Sequence, residues 1–417
     1  MASSSELFSR ERLAGYDPEV MGRSVALVVG AGALGQNTAQ NLALSGVGEI
    51  RLVDRDLFEE HNRTRSPAYP LPDEQELYGL EKARAVACKL RRLMTASSPI
   101  MRYAHSWIQE LGDGAFEDVS VIVSCVDSPL ARAYLSDKAR QHGLAFVEGG
   151  FHAADVTLTI FPPVSPGEAW DAPCWRCSHP ELSGSFSCRF FATQSETFGV
   201  IPAIQNSAAV LGGLQAEAVI MALHPSLSDS AGARAFSLNT RTYRALSFKL
   251  SRDPKCGGLH RTLDAAPHTL VATADDTVGH LLSEISEHFG CAARLEFPLK
   301  LFAQVFWYTS CSAIERCGNF ADVRGPEWRW RMNPLCEECG GPFPVLSGRK
   351  PDPFGLHTEL TLESDPEILS ATCRQIGLAP LSIVTAAGED NSSAHFRLAG
   401  SLADLFKSGD AYERHYY

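Results

Sequence analysis

Five polar residues early in the chain have types and spacings that suit a triphosphate: Asp54, Asn62, Arg65, Lys82 and Asp127. Asp54 ends a β-rich run, and a carboxylate at that position usually binds the hydroxyls of a ribose. Asn62 and Arg65 follow eight and eleven residues later, and Lys82 opens a helical run. Because arginine forks across phosphate oxygens and lysine acts as a point charge, the set predicts a polyphosphate beyond the ribose.

Asp127 follows the apolar run VIVSC, just past the end of a predicted strand. Ligands of a parallel sheet bind at the carboxyl ends of its strands. Proteins bind Mg²⁺ through one or two carboxylates together with substrate phosphates, so a carboxylate there can hold this ion. Each residue alone would indicate only surface polarity, whereas the spaced set, to which we add Asp56, predicts a site for ATP and Mg²⁺.

A glycine turn precedes these residues. GAGALG spaces Gly30, Gly32 and Gly35 as G-x-G-x-x-G between a predicted strand and a predicted helix. The first glycine permits a tight turn, the second a close approach of phosphate and the third packing of the helix on the strand. The helix N-terminus then faces the anion. By itself the motif does not distinguish NAD, FAD and ATP, and a βα turn without a ligand is the alternative.

The elements that must position these residues alternate along the chain. VALVV, IRLVD and VIVSCVD are near-continuous apolar runs, as expected for strands buried on both faces of a sheet. LGQNTAQNLALSG and EKARAVACKLRRLM lie between them and have helical spacing. The pattern predicts the α/β class, with a doubly wound, Rossmann-like parallel sheet. ARAFSLNTRTYRALSFKLS predicts an antiparallel extension, and we place this first domain at residues 1–261.

Residues 262–417 predict a smaller α+β module. DDTVGHLLSEISEHFG predicts a helix with an aspartate cap, and LESDPEILSATCRQIGLAP predicts another helix with a proline stop. LKLFAQVFWYTSC between them predicts an apolar strand.

Composition excludes some classes of partner. The formal net charge is −12 and no basic run is present, which argues against binding driven by nucleic-acid phosphates. The start of the sequence lacks the apolar core of a signal peptide, and no run reaches the roughly 18 apolar residues of a membrane span. We therefore expect a cytoplasmic protein without nucleic-acid or membrane partners. In that compartment its twelve cysteines indicate metal ligands, reactive thiols or core residues rather than disulfides.

These motifs together resemble the ThiF/MoeB/HesA adenylyltransferase family, relatives of the ubiquitin-activating enzymes. The resemblance rests on GAGALG, LVDRD, the N-x-x-R of Asn62 and Arg65, GLEKA and CVDSPLAR, and covers about residues 8–260. Family members use ATP and Mg²⁺ to adenylate the C-terminal carboxylate of a small ubiquitin-like or sulfur-carrier protein. The resemblance implies that activity here, for conjugation or sulfur transfer. It also implies a homodimer. By analogy, the position of residues 262–417 suggests that they recruit either the carrier or a downstream conjugating enzyme.

The family also implies a role for each matched residue. Asp54 would bind the ribose, Asn62, Arg65 and Lys82 the phosphates, and Asp127 the Mg²⁺. In the family an N-terminal arginine reaches the phosphates from the partner subunit. LFSRERLAGYD indicates Arg10 ahead of Arg12 for this role, and a solvated helix end is the alternative for Arg10. The candidate catalytic residues are thus Arg10, Arg65, Lys82 and Asp127.

A zinc site is implied by the same resemblance. PCWRC supplies Cys174 and Cys177, and DPKCGGLH supplies Cys256. Family members have a second C-x-x-C here, and four thiolates bind a structural zinc. This chain has Leu259 at the last of those positions, and His260 is the expected replacement. Three thiolates and one imidazole still form a good tetrahedral Zn²⁺ set, and unmetallated thiols are the alternative.

Other cysteines give less specific signals. Cys336 and Cys339 in NPLCEECGG have the knuckle spacing of a zinc ribbon, which Cys311 and Cys317 would complete. A glycine-rich turn with two exposed thiols is the alternative to this second zinc. Cys188 matches loosely a loop cysteine that in some family members forms a thioester or disulfide with the carrier, and a bystander thiol is the alternative.

Other functions stay open on the sequence alone. The adenylated group could belong to a peptide substrate in natural-product tailoring, or the chain could be a catalytically degenerate scaffold. The scaffold is disfavoured because every expected ATP ligand is present. An NAD(P)-dependent oxidoreductase is disfavoured because it would require neither Arg65, nor Lys82, nor the zinc cysteines.

Overall fold

The structure of the chain is a computed structural model. It describes residues 7–67, 79–94, 100–165, 171–179, 204–227, 232–296, 305–306, 325–326, 328, 356–357, 359–390 and 392–409. Cys188 and the four cysteines of the predicted second zinc site, Cys311, Cys317, Cys336 and Cys339, lie outside the described residues. The loop thiol and the second zinc therefore stay predictions.

A nine-stranded sheet organises the first part of the chain. Its first eight strands are β1 Val25–Val29, β2 Glu49–Val53, β3 Ile100–Ala104, β4 Val121–Ser124, β5 Ala145–His152, β6 Asp155–Phe161, β7 Arg234–Asn239 and β8 Arg244–Lys249. Strands β3, β2, β1, β4 and β5 lie side by side and parallel, and β6, β7 and β8 continue the sheet antiparallel. The doubly wound parallel sheet with an antiparallel extension is thus confirmed.

The ends of the central parallel strands lie level with one another. Val29, the last residue of β1, pairs with Val53 of β2 on one side and with Ser124 of β4 on the other. The strand order reverses between β1 and β4, which is where sheets of this type bind ligands, beyond the carboxyl ends of the strands. Residues that follow Val29, Val53 and Ser124 therefore emerge at one edge.

Helices cover both faces of this sheet. They are α1 Ser9–Leu13, α2 Pro18–Arg23, α3 Ala33–Leu44, α4 Lys82–Arg91, α5 Pro129–Gln141 and α6 Gln205–Leu223. One core cluster contains buried residues of α3, α4 and α6, and a second cluster on the other face contains those of α5. These two buried layers explain why the parallel strands are apolar on both faces.

The predicted long apolar helix corresponds to α6. Among the described residues, α6 is the one helix long and apolar enough to cross a membrane by length and composition, and half of that stretch is buried. It packs closely on α3, since a Cβ at Gly212 would lie 2.6 Å from the Cβ of Asn37. A helix buried in a protein core can have the same length and apolar composition as a membrane-spanning helix.

Two smaller sheets follow. Their strands are β9 His268–Thr273, β10 Ala293–Glu296, β11 Val305–Phe306, β12 Gly325–Pro326, β13 Leu356–His357, β14 Glu359–Leu360, β15 Ile383–Gly388 and β16 Ser393–Ala399. One sheet has the order β14-β10-β15-β16-β9, and the other has the order β12-β11-β13. Helix α7, Val278–Phe289, buries Leu281, Leu282 and Ile285 in the core of the five-stranded sheet. A C-terminal α+β module is thereby confirmed.

The predicted aspartate cap of α7 is wrong. The Thr277 hydroxyl caps this helix by accepting the His280 N–H at 3.2 Å. Asp276 instead accepts the backbone N–H of Thr273 at 2.7 Å, in the turn before the helix. Threonine and aspartate both cap helices well, but here the aspartate side chain is bound within the preceding turn and the threonine forms the cap.

The last predicted helix is shorter than expected. Helix α8 spans Pro366–Ser370 only. Beyond it, Thr372 forms a β-bridge with Thr277, and the N–H of Cys373 donates to the Asp276 carbonyl at 2.9 Å. Pairing with a distant turn replaces the helical hydrogen bonds that the local pattern predicted.

The end of the described chain returns to the first sheet. After α9, Leu402–Leu405, strand β17, Lys407–Ser408, pairs antiparallel with β3 at its free edge. Phe406 is buried against the guanidinium of Arg51. Residues from both sides of position 261 therefore share one sheet, and the division into 1–261 and 262–417 stays a prediction.

Candidate functional site

The glycine turn joins β1 to α3, and its three glycines differ in their surroundings. Gly30 has φ +97°, and a Cβ there would lie 2.6 Å from the Cys125 carbonyl oxygen. A Cβ on Gly35 would lie 1.7 Å from the Gly30 carbonyl oxygen. A Cβ on Gly32 would have no described atom within 4 Å. Gly30 and Gly35 therefore serve the fold, while Gly32 leaves open space at the N-terminus of α3, where an anion is favoured.

Asp54 is tied to this turn. One carboxylate oxygen, Oδ2, accepts the backbone N–H of Ala31 at 2.6 Å, and Oδ1 accepts the N–H of Asp56 at 2.8 Å. Burial raises the pKa of Asp54; the charge of Lys82 and these N–H donors oppose the rise without cancelling it. Asp54, which follows β2, and the glycine turn, which follows β1, thus form one hydrogen-bonded unit.

Lys82 lies beside the same unit. It begins α4, and its Nζ lies 3.0 Å from Oδ2 of Asp56. The backbone N–H of Lys82 also donates to the Asp56 carbonyl at 2.8 Å. The sequence grouped Asp56 with the ATP ligands, and the structure gives it a partner in Lys82.

Asn62 and Arg65 lie in a short 3-10 helix, Glu60–Arg65. Asn62 is buried, and its Oδ1 accepts the backbone N–H of Glu59 at 3.1 Å. Arg65 is half-buried, and its Nη1 donates to the His61 carbonyl at 3.1 Å. Asn62 therefore completes a capping box with the N-cap residue Glu59, a structural role beyond the phosphate contact expected from the sequence.

Asp127 and Arg10 are both exposed. Asp127 lies between β4 and α5, at the edge where the strand ends align. Arg10 lies in α1, which is anchored by Phe8 packed on Gly46. Within the described part of the chain, no hydrogen bond or ion pair joins Arg10 to the glycine turn.

The four predicted zinc ligands form one cluster. Sγ of Cys174, Cys177 and Cys256 and a ring nitrogen of His260 all lie within 4.8 Å of one another. Sγ of Cys174 lies 3.9 Å from that of Cys177, 3.6 Å from that of Cys256 and 3.4 Å from Nε2 of His260. A zinc tetrahedron with bonds of about 2.3 Å has sulfur–sulfur edges of about 3.8 Å, so the donors fit this ion.

Contacts around the cluster orient its members. Nδ1 of His260 lies 3.0 Å from the Ala172 carbonyl oxygen, which leaves Nε2 directed at the thiols. The N–H of Gly258 donates to Sγ of Cys256 at 3.3 Å, and a Cβ on Gly258 would lie 2.8 Å from Sγ of Cys174. Gly258 is thus required by the cluster.

An ion pair that the sequence analysis missed anchors the cluster to α5. Oδ2 of Asp137 lies 3.3 Å from Nη1 of Arg176, and both side chains are buried. Oδ1 of Asp137 accepts the N–H of Leu259 at 2.9 Å. The only available signal was a charged residue, Arg176, inside the C-x-x-C, and its partner is 39 positions away.

Comparisons with known proteins agree with this geometry. Residues 13–258, more than half of the chain, match the ThiF family. The chain is 31% identical to the adenylyltransferase and sulfurtransferase uba4 of Emericella nidulans over 206 residues, which are 48% of this chain and 42% of that protein. It is 29% identical to the SAMP-activating enzyme E1 of Haloferax volcanii over 248 residues, 58% of this chain and 84% of that protein.

The chain spans half or less of the length of the uba4 relatives it matches. Among solved structures, E. coli MccB with MccA-N7isoASN is similar, with a TM-score of 0.50 and 18% identity, over 62% of this chain and 75% of that one. At that identity the likeness bears on the fold alone. With a family match over more than half of its length, and the glycine turn and strand order that accompany it, the chain belongs to the ThiF family.

Proposed function

We propose that this protein uses ATP and Mg²⁺ to adenylate the C-terminal carboxylate of a small ubiquitin-like or sulfur-carrier protein. The observation that carries the proposal is the hydrogen bond from the Ala31 N–H to Asp54. This bond joins the carboxylate proposed to bind the ribose to the glycine turn, and Lys82 lies beside them. The names of the relatives, adenylyltransferase and activating enzyme, support the reaction class.

The described residues fit a nucleotide. Gly32 leaves room for a phosphate where a side chain would fill it, at the N-terminus of α3. Lys82, together with Asn62 and Arg65, would neutralise the remaining phosphate charge, and Asp54 would bind the ribose. Asp127 would hold the Mg²⁺, which neutralises phosphate charge when it is bound.

The reaction requires alignment more than it requires a covalent group. A carboxylate oxygen of the carrier attacks the α-phosphorus, a new P–O bond forms, and the bond from that phosphorus to the bridging oxygen breaks. Pyrophosphate leaves with the electron pair. The carboxylate, with an ordinary pKa of about 3.5, is already ionised at neutral pH, so no general base is needed. Lys82 and Arg65 would stabilise charge that moves onto the leaving pyrophosphate.

The cysteine cluster is proposed to hold a structural zinc. The donor types and the sulfur–sulfur distances support Zn²⁺, and Cys174 is 82 positions from Cys256 in sequence. A zinc ion there would link the segment after β8, which contains Cys256 and His260, to the segment before α6 that contains Cys174 and Cys177.

Partners form a further part of the proposal. Arg10 would reach the phosphates of a second subunit, since its side chain is exposed on a short helix. Residues 262–417 would recruit the carrier or a conjugating enzyme, and Cys188 is the candidate for a thioester.

Carrier-dependent exchange between ATP and labelled pyrophosphate tests the proposal. The wild-type protein should exchange label only when a carrier with a free C-terminal carboxylate is present, and intact-mass spectrometry should detect the AMP adduct. Exchange with a short peptide alone would favour peptide tailoring. Absence of exchange with every carrier tested, together with measurable NAD binding, would exclude adenylation.

A further inference from the structure

We infer that Arg132, held in place by Glu148, is a positioning residue for the loop that carries Asp127. The inference rests on the proposed function, because it assigns a task to side chains beneath the proposed Mg²⁺ site. Arg132 lies in α5, five residues after Asp127.

Arg132 binds the loop through two hydrogen bonds to a single acceptor atom. Its Nε donates to the Val126 carbonyl oxygen at 3.0 Å, and its Nη2 donates to the same oxygen at 2.8 Å. Two donors of a rigid planar group on one acceptor fix the direction of that peptide. The Val126 carbonyl belongs to the peptide bond whose nitrogen is that of Asp127. The two hydrogen bonds therefore fix the backbone from which the Asp127 side chain extends.

Glu148 holds the guanidinium from the other side. Its Oε1 lies 2.9 Å from Nη1 of Arg132, and its side chain is only 3% exposed. Gly150 on the same strand leaves room, since a Cβ there would lie 3.0 Å from Nη2 of Arg132. A carboxylate so deeply buried requires a partner, so Glu148 confines Arg132 to this position.

The other end of the loop is fixed separately. The Ser128 hydroxyl accepts the Ala131 N–H at 3.4 Å as the N-cap of α5, and Pro129 occupies the first turn. Val126 and Ser128 are thus both anchored, and exposed Asp127 lies between them. Holding an exposed carboxylate by its backbone leaves its oxygens available for a metal ion.

The test compares metal-dependent ATP binding in matched arginine variants. Arg132→Lys keeps the charge that Glu148 needs but cannot make the fork to Val126. Arg51→Lys is the control, because Arg51 also pairs with a glutamate, at 2.7 Å, and also donates to a backbone carbonyl. Calorimetry measures ATP affinity over a range of Mg²⁺ concentrations, and again in EDTA.

We expect Arg132→Lys to raise the Mg²⁺ concentration for half-maximal ATP binding by about tenfold or more, as loss of residues that orient metal ligands commonly does. ATP affinity in EDTA should not change. Arg51→Lys should lower thermal stability and leave the Mg²⁺ requirement as in the wild type. Glu148→Gln should raise the requirement by about tenfold, because Arg132 loses the anion that confines it, and it decides the question if Arg132→Lys does not fold.

Other outcomes overturn the inference. If the wild type binds Mg²⁺ and ATP, but Arg132→Lys and Glu148→Gln leave the Mg²⁺ requirement unchanged, the inference is wrong. The proposed function is not affected by that result. A selective rise in the carrier KM without a change in the Mg²⁺ requirement would make Arg132 a substrate contact and also overturn it. A wild-type protein that binds no ATP with Mg²⁺ overturns the proposed function, and this inference with it.

Discussion

Lys82 and Asp56 are joined twice, by a 3.0 Å contact between their side chains and by a 2.8 Å hydrogen bond between their backbones. The side chain of Lys82 is 10% exposed, whereas that of Asp56 is 55% exposed. Water can therefore solvate Asp56 if its partner leaves, while Lys82 is held at the crevice by the start of α4. A phosphate that entered would exchange one anionic partner of Lys82 for another.

Replacing Lys82 should affect binding more than folding. We expect Lys82→Ala to weaken ATP binding by about 100-fold, because a partly buried charge on phosphate contributes a few kcal/mol. Thermal stability should fall only a little, since Asp56 stays solvated and Asp54 keeps its two backbone N–H donors when it loses the charge of Lys82. Titration calorimetry and thermal unfolding check both, with Lys89→Ala on the same helix as control. Equal ATP affinity in the two variants would remove Lys82 from the phosphate site.

The glycine turn offers a contrast between a structural and a binding position. Gly35→Ala should lower the free energy of unfolding by about 1–3 kcal/mol or more, because its Cβ would collide with the Gly30 carbonyl. Gly32→Ala should lower it by about 0.5–1 kcal/mol, since that Cβ meets open space and the cost is limited to replacing glycine by alanine at the N-cap of α3. Urea titration measures both.

ATP affinity completes this contrast. Gly32→Ala should weaken binding by about tenfold or more, because its methyl group would occupy the phosphate approach. Normal ATP affinity in Gly32→Ala would mean that no phosphate approaches the turn there.

The parallel sheet could be predicted because its signals are local. Strand β1 spans exactly the apolar run VALVV, and α3 begins one residue before the predicted helical run. Apolar runs and a glycine turn need no distant partner to be recognised. The family assignment, which rests on such runs and on spaced polar residues, is confirmed.

Contacts between distant residues could not be predicted in this way. Asn62 was expected only as a phosphate ligand, and its cap on Glu59 depends on a 3-10 helix that no periodicity indicates. Glu148 and Arg132 each resembled ordinary polar residues. Asp113 was not singled out, because its partners Lys138, His142 and Ile383 are 25, 29 and 270 positions away.

The cysteine cluster, with the zinc proposed there, predicts a defined change in metal content. His260→Ala should contain one zinc per chain fewer than the wild type and should melt at a lower temperature, because the three thiolates lose their fourth donor. His260→Cys should keep the metal, since four thiolates also bind zinc well. Elemental analysis measures the content, and Cys291→Ser, outside the cluster, is the control. Unchanged zinc in His260→Ala would place the metal elsewhere.

Asp113 predicts a dependence of stability on pH. Burial alone would raise the pKa of Asp113, but the Lys138 ammonium at 2.6 Å and His142 at 2.9 Å outweigh burial and hold the pKa far below its usual range. A lowered pKa stabilises the fold above the unfolded-state value of about 4, and this stabilisation is lost as the pH falls towards the folded-state value.

Asp113→Asn should therefore lower the free energy of unfolding at pH 7 by about 3–5 kcal/mol, because Lys138 stays buried without its anion. The difference from the wild type should narrow below about pH 4. Urea unfolding over a pH series measures this, with exposed Glu110→Gln as control. A difference that stays constant down to pH 2 would mean that folding does not shift the pKa of Asp113.

The most direct test of the proposed adenylation is carrier-dependent exchange of ATP with pyrophosphate in the wild type and in Asp127→Ala. The wild type should exchange label, and Asp127→Ala should lose at least about 100-fold of the rate, since it lacks the carboxylate proposed to hold Mg²⁺. Its fold and zinc content should be unchanged, because Asp127 is exposed and lies outside the cysteine cluster. Full exchange by Asp127→Ala would contradict the placement of the metal and of the reacting phosphates at this strand edge.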